Sequence, residues 1–307
     1  MSSSTLQRLA FPSLSVVAMS ATAVTVYNTC LIDVINASAA GPVAAWGELA
    51  LPALPFTLSS LVLGLLATFR TNAAHDRFNQ ARGAWGEVIN ASRDLLRQAA
   101  VWMPKDHAVE RLRLARLVKA FPVALNFHLT TDGGHYLIKA QDADASPAIR
   151  AELAAELLDR VWPAGPDAEE DFARTLDVHA AGGNVPLMLL GEMAATVAAG
   201  AADGRAVDAV EMDKALQRLN TSLGRCERIL KTPIPTSYTR HTSRFLTTWL
   251  NALPLALWPV LGAHGTIPAS LAIAYALLGI EDIGVQIEEP FNMLPLRAYS
   301  HTVQAST

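Results

Sequence analysis

The stretch LALPALPFTLSSLVLGLLATF, residues 49–69, runs for 21 positions without an Asp, Glu, Lys or Arg. A bilayer core is about 30 Å thick, and about 20 apolar residues of helix cross it. The stretch therefore reads as one membrane-spanning helix. Two more charge-free runs lie outside it, residues 9–32 (24 positions) and 245–280 (36 positions). The last is too long for one span and carries Gly262-Ala263-His264-Gly265 near its middle, which predicts a tight turn between two helices. The expectation is four spans, two towards each end of the chain.

Between these pairs, residues 70–244 hold 44 of the 52 charged side chains, 22 basic and 22 acidic. Such balance predicts a soluble helical block. Val109-Leu112-Leu114-Leu117-Val118-Phe121 has roughly helical spacing, with Arg111, Arg113 and Arg116 mostly on other faces. Ser146-Pro147 opens a helix, with Glu152 in its second turn. Val207-Val210-Leu216-Leu219-Leu223 marks another, which Thr232-Pro233-Ile234-Pro235 breaks because each proline lacks a backbone donor. Short linkers fall at 142–146, 164–167 and 201–205. No strand-like alternation or repeat is visible, so the fold class is all-α. The expected division is 1–70 for the first two spans, 71–235 for the soluble block, 236–290 for the last two spans and 291–307 for a tail. The second span, followed by no Gly or Pro until Gly83, is expected to continue out of the membrane as a helix over 50–99.

Composition agrees with a membrane protein. The chain is 51% hydrophobic and 17% charged, against about 25% charged in soluble proteins. A net charge of −4 without a basic cluster argues against a nucleic-acid partner. The first apolar run exceeds a signal peptide's 7–15-residue core and reads as a retained helix. Arg8, Arg70, Arg77, Arg82, Lys231, Arg240 and Arg244 flank the spans on one side, while Asp33 and Glu48 bracket the link on the other. The positive-inside rule then puts both termini and the charged block on the cytoplasmic side. Cys30 and Cys226 read as separate buried thiols. They match no metal spacing, and the eight histidines form no HExxH or paired ligands, so neither an enzyme nor a metal site is expected.

Leu61, Leu65 and Phe69 recur at i, i+4 and i+8 and share one helical stripe. Core packing within the monomer and lining of a pore are both consistent with that spacing. The surrounding residues carry a resemblance. Phe69-Arg70-Thr71-Asn72 with Asp76-Arg77-Phe78 and Ala81-Arg82-x-x-Trp85-Gly86, then Pro233-Ile234-Pro235-x-x-Tyr238-Thr239-Arg240-His241, then Gly279-Ile280-Glu281-Asp282-Ile283-Gly284 and Ile287-Glu288-Glu289-Pro290-Phe291 resemble the bestrophin family. The resemblance extends from the first span to Leu296. It implies a homopentameric ion channel in a lipid bilayer, with five copies of the second span around a central pore. It further implies an apolar neck at Leu61, Leu65 and Phe69, a pore mouth at Arg70 and Asn72, and a second constriction at Val207 or Val210.

Rings of apolar residues gate by dewetting, since nothing in them replaces an ion's hydration shell. With no carboxylate ring in the neck and with Arg70 adjacent, the expected ions are anions, chloride or bicarbonate. The alternative roles for Arg70 are a snorkelling side chain or a partner for Asp76. A cation-conducting relative, a carrier and a membrane scaffold are the rival functions. Glu281, Asp282, Glu288 and Glu289 suggest calcium. However, the acidic run that animal bestrophins carry after this Pro-Phe is replaced here by Asn292-Met293-Leu294-Pro295, so salt bridges to arginines of the charged block, such as Arg77, Arg82 or Arg240, are expected instead and no cofactor is assigned. The ending resembles chloroplast and cyanobacterial members, which implies a thylakoid membrane, with a bacterial inner membrane as the alternative.

Overall fold

A computed structural model describes residues 4–38, 47–130, 151, 153–157, 166–200 and 206–306, and no strand occurs among them. The helices are α1 (Ser4–Val26), α2 (Ile32–Ser38), α3 (Ala53–Trp102), α4 (Ala108–Thr130), α5 (Pro166–Ala180), α6 (Val185–Gly200), α7 (Ala206–Lys231), α8 (Thr236–Glu288), α9 (Pro290–Met293) and α10 (Leu296–Gln304), with a π-helical turn at Tyr27–Leu31 and a 3₁₀ turn at Lys105–His107. The expected helix start at Ser146-Pro147 and the linkers at 142–146 and 201–205 lie outside the described residues. The chain forms two units, Met1–Asp76 with Ile234–Glu288, and Arg77–Pro233 with Glu289–Thr307. The division expected from the sequence falls at 70/71, 235/236 and 290/291.

Among the described residues three helices are long and apolar, two of them within the first unit and the third, α3, running from the first unit into the second at Asp76–Arg77. Pro12–Ala37, Ala53–Trp102 and Thr236–Glu288 are each long and apolar enough to cross a membrane. α8 is two helices joined at Gly262, whose φ of 61° and ψ of −161° leave the helical region. Side chains with a β-carbon are strained in that conformation and rarely adopt it. The turn expected from the Gly262–Gly265 pattern is therefore present, and it divides α8 into arms at 236–261 and 263–288. A β-carbon at Gly265 would lie 2.7 Å from that of Leu261, so the second glycine is required by close approach. Both arms feed one apolar cluster: Leu246, Leu250 and Leu253 from the first, Ala274 and Leu278 from the second, with Val17 of α1 and Leu63 of α3.

Local chemistry fixes where α3 begins. Asn28, buried in the π-helical turn, accepts from the backbone N–H of Leu49 (2.8 Å) and donates to its carbonyl (3.1 Å). Leu51 N–H donates to the Leu255 carbonyl at 3.0 Å. Single π turns inside α-helices mark irregularities held for a reason, and here the turn carries a clamp on the strap that leads into α3. Pro55 falls in the first turn, where its missing donor is not needed. The helix then runs unbroken for 50 residues, about 75 Å at 1.5 Å per residue. It stops at Trp102, ahead of Pro104.

The second unit packs α4, α6, α7 and the end of α3 around Trp85, Phe121, Leu125, Leu189, Met193 and Leu219, with Phe291 and Leu296 from the tail. Leu114, Leu117, Val118 and Phe121 are buried as their spacing predicted, but Val109 and Leu112 are exposed. Arg113 sits beside this core in a bidentate pair with Asp171 (2.9 and 2.7 Å) and reaches Glu192 at 2.8 Å. Ser300 donates to the Pro122 carbonyl at 3.1 Å, so α10 is tied onto α4. α7 ends at Lys231 and α8 begins at Thr236, on either side of the Pro233-Ile234-Pro235 break.

Candidate functional site

α3 carries two stripes within the first unit. Phe56, Ser59, Leu63, Leu66 and Arg70 follow a 3-4-3-4 spacing, which keeps them on one helix face. That face is the one bound to the rest of the unit. Leu63 is buried, the Phe56 ring lies 5.8 Å from Trp249, and the Trp249 indole donates to Ser59 Oγ at 3.0 Å. The Tyr238 hydroxyl donates to the Leu66 carbonyl at 3.2 Å. Arg70 closes the stripe by donating to Glu281.

Leu54, Leu58, Leu61, Leu65 and Phe69 make the second stripe, roughly a third of a turn away. They are between 49% and 69% exposed in the protomer. The stripe spans roughly 22 Å at 1.5 Å per residue. An apolar surface of this length on a fixed helix needs lipid or another subunit to cover it. Leu61, Leu65 and Phe69 thus lie together on a free face, which core packing within the protomer does not use. Leu54 and Leu58 belong to the same face and were missed. Their 4-3-4-4 spacing into Leu61, Leu65 and Phe69 was the available signal.

The residues expected at the mouth separate. Asn72 is exposed and continues the free stripe, followed one turn later by exposed Asp76. Arg70 does not join them. It is 5% exposed, pairs with Glu281 and lies 3.8 Å from Glu288. Adjacent helix positions point about 100° apart, so an exposed Phe69 turns the next side chain inward. Val207 and Val210 are both exposed, three apart on the first turn of α7 in the second unit.

Two acids of the cluster do pair with an arginine of the charged block, though not with one of the three examples named. Arg70, rather than Arg77, Arg82 or Arg240, takes Glu281 and Glu288. Asp282 accepts from Gln286 at 2.8 Å, and Glu289 accepts from Asn292 at 2.7 Å. Arg77 donates to the carbonyls of Ile229 and Thr232 at the end of α7, where a cation meets the negative end of the helix dipole. The reason is geometric: Glu281 and Glu288 sit seven apart on the arm beside Arg70, and Thr71 Oγ1 lies 3.8 Å from where a β-carbon at Gly284 would stand. No group of three or more His, Cys, Asp or Glu among the described residues has metal-site geometry. Cys226 is buried, and desolvation pushes its thiol up to about 12. Cys30 is exposed, not buried as expected, because it sits on an outward face of the π turn.

Comparison with known proteins adds to this geometry. The chain matches the family described as "Bacterial/Fungal Bestrophin protein" over residues 1–307. It is 32% identical over 246 residues to voltage-dependent chloride channel 2, chloroplastic, of Arabidopsis thaliana, covering 79% of this chain and 52% of that protein. The chain thus spans about half the length of that plant relative. It is 32% identical over 240 residues to a voltage-dependent anion channel-forming protein of Ralstonia nicotianae, covering 77% of this chain and 69% of the relative. A bestrophin homologue of Klebsiella pneumoniae has the same fold, with a TM-score of 0.74 at 23% identity, covering 96% of each chain.

Proposed function

The chain belongs to the bestrophin family, and on that premise we propose that it is a passive, anion-selective channel formed by five copies of itself. The free face of α3 supports this most directly. A stripe of five large apolar side chains, held outward by polar ties on the face behind it, lines the neck when five copies of α3 meet at an axis. Leu61, Leu65 and Phe69 form the narrow rings. Ions crossing them lose hydration that no side chain replaces, so small changes in width switch conduction.

Chloride is the conducted anion on this reading, in line with the name of the plant relative, while the Ralstonia relative is named for anions without specifying one; bicarbonate is the second candidate. Arg70 is charge-neutralised by Glu281 and lies off the stripe, so anion preference rests on the neck itself, where aromatic edges of Phe69 carry partial positive charge. Val207 and Val210, exposed on one face of α7, supply the second constriction. The chloroplastic plant relative supports a chloroplast membrane, with the thylakoid as the proposed location, and the Ralstonia relative supports a bacterial inner membrane as the alternative.

One observation favours a second reading, cation conduction. Asp76 is exposed on the same face as Phe69, two turns along, and five carboxylates there would attract cations. Reconstitution in a planar bilayer under a potassium chloride gradient decides between the two. Anion conduction predicts a reversal potential near the chloride equilibrium value. A value near that of potassium, returned towards zero by Asp76→Asn, assigns cation conduction, and the absence of any current removes both.

A further inference from the structure

The burial of Arg70 gives it a role other than attraction of ions. It is the first charged residue of α3 and directly follows Phe69, the last apolar ring of the proposed neck. Its side chain is 6% exposed, and those of Glu281 and Glu288 are 14% and 20% exposed. Two carboxylates seven apart on the second arm of α8 thus bracket one guanidinium. The other ties on this face of α3, from Trp249 and Tyr238, both come from the first arm. Arg70 is therefore where α3 is ionically fixed to the arm beyond Gly262.

A buried pair of this kind favours one geometry strongly, since separating its members leaves charge without water or partner. Any turn or slide of α3 that moves Phe69 also moves Arg70 against Glu281, because the two residues are adjacent on a rigid helix. We propose that the Arg70–Glu281 pair, steadied by Glu288, is a positioning latch that sets the rotation and height of Phe69 in the neck and so governs gating, without placing charge in the ion path. Arg70 is a positioning residue here, and the inference rests on the proposed neck.

Single-channel recording of the full-length assembled protein in planar bilayers tests it, with each variant first checked for oligomer size by size-exclusion chromatography. The variants are Arg70→Gln, Glu281→Gln, the two combined, and Arg70→Lys. The latch predicts that both single neutralisations change open probability severalfold in the same direction. The double variant should go no further than either single, and Arg70→Lys should lie between wild type and Arg70→Gln. Reversal potential and unitary conductance should stay at wild-type values throughout, which a merely charged mouth would not allow. If Arg70→Gln shifts the reversal potential while Glu281→Gln behaves as wild type, Arg70 acts on the ion and the latch is overturned. Unchanged gating in both singles overturns it equally. Should Arg70→Gln and Glu281→Gln fail to assemble, Glu288→Gln, which leaves the main pair intact, must still alter open probability; wild-type gating there overturns the steadying role and the latch with it. Wild-type protein that carries no current refutes the channel reading instead, so the two failures are distinct.

Discussion

The hydroxyl of Tyr238 donates to the backbone carbonyl of Leu66 at 3.2 Å, between the outward-facing Leu65 and the inward-facing Arg70. That carbonyl belongs to an unbroken helix, so the phenol supplies an additional partner rather than replacing a ladder bond. Tyr238→Phe keeps the ring and removes the tie. A hydrogen bond of this type contributes about 1 kcal/mol net. We expect a small fall in thermal stability of the detergent-solubilised protein, and a lower threshold for any conformational change of α3. A variant with an unchanged melting temperature shows that the contact contributes nothing.

Gly262 sets the turn between the last two spans. Its φ of 61° with ψ of −161° is a region reserved for glycine, and forcing another residue there costs of order 1–3 kcal/mol. Gly262→Ala is expected to lower stability by about that amount. Gly279→Ala is the control, since a β-carbon there meets nothing within 4 Å. Equal melting temperatures for the two variants contradict the assignment.

The apolar stripe makes a separate prediction. Replacing Leu61, Leu65 and Phe69 together by alanine widens the proposed neck and reduces its dewetting, so open probability should rise well above wild type in bilayer recordings. Val260→Ala, exposed on the first arm of α8 rather than on α3, should leave gating alone. Wild-type currents from the triple variant place these side chains outside the gate.

His128 gives the soluble unit a pH dependence. It is held 3.1 Å from Glu227, whose same oxygen accepts from Asn184 at 2.6 Å, with Lys231 nearby. Burial holds its pKa below 6.5 despite the opposing pull of Glu227. The unfolded chain then binds this proton more readily than the folded one, so stability rises with pH through the window ending near 6.5 and falls on acidification. His128→Gln should flatten that part of the profile. Melting temperatures measured between pH 5 and 7 check it, and parallel curves for the two proteins refute it.

Much of the fold was legible because it follows from quantities carried by single residues. Charge-free runs longer than a bilayer core specify spans whatever else the chain contains. Pro233 and Pro235 lack donors wherever they stand, and Gly262 admits a conformation that its neighbours do not. The stripe of Leu61, Leu65 and Phe69 was legible too, because helical periodicity is local. The spacing did not say which way the stripe faced. Val109 and Leu112 carry the same lesson: they share the apolar spacing of Leu114 and Leu117, yet only the latter two are buried.

The amino-acid sequence by itself determined that this protein is helical, where its apolar helices lie and which family it resembles. Each of these depends on composition, period or motif along the chain. Only the tertiary structure decided that Arg70 turns inward to Glu281, 211 positions away, while Phe69 beside it faces outward. A charge takes the partner that folding brings within reach once water is removed, and no spacing along the chain encodes that proximity.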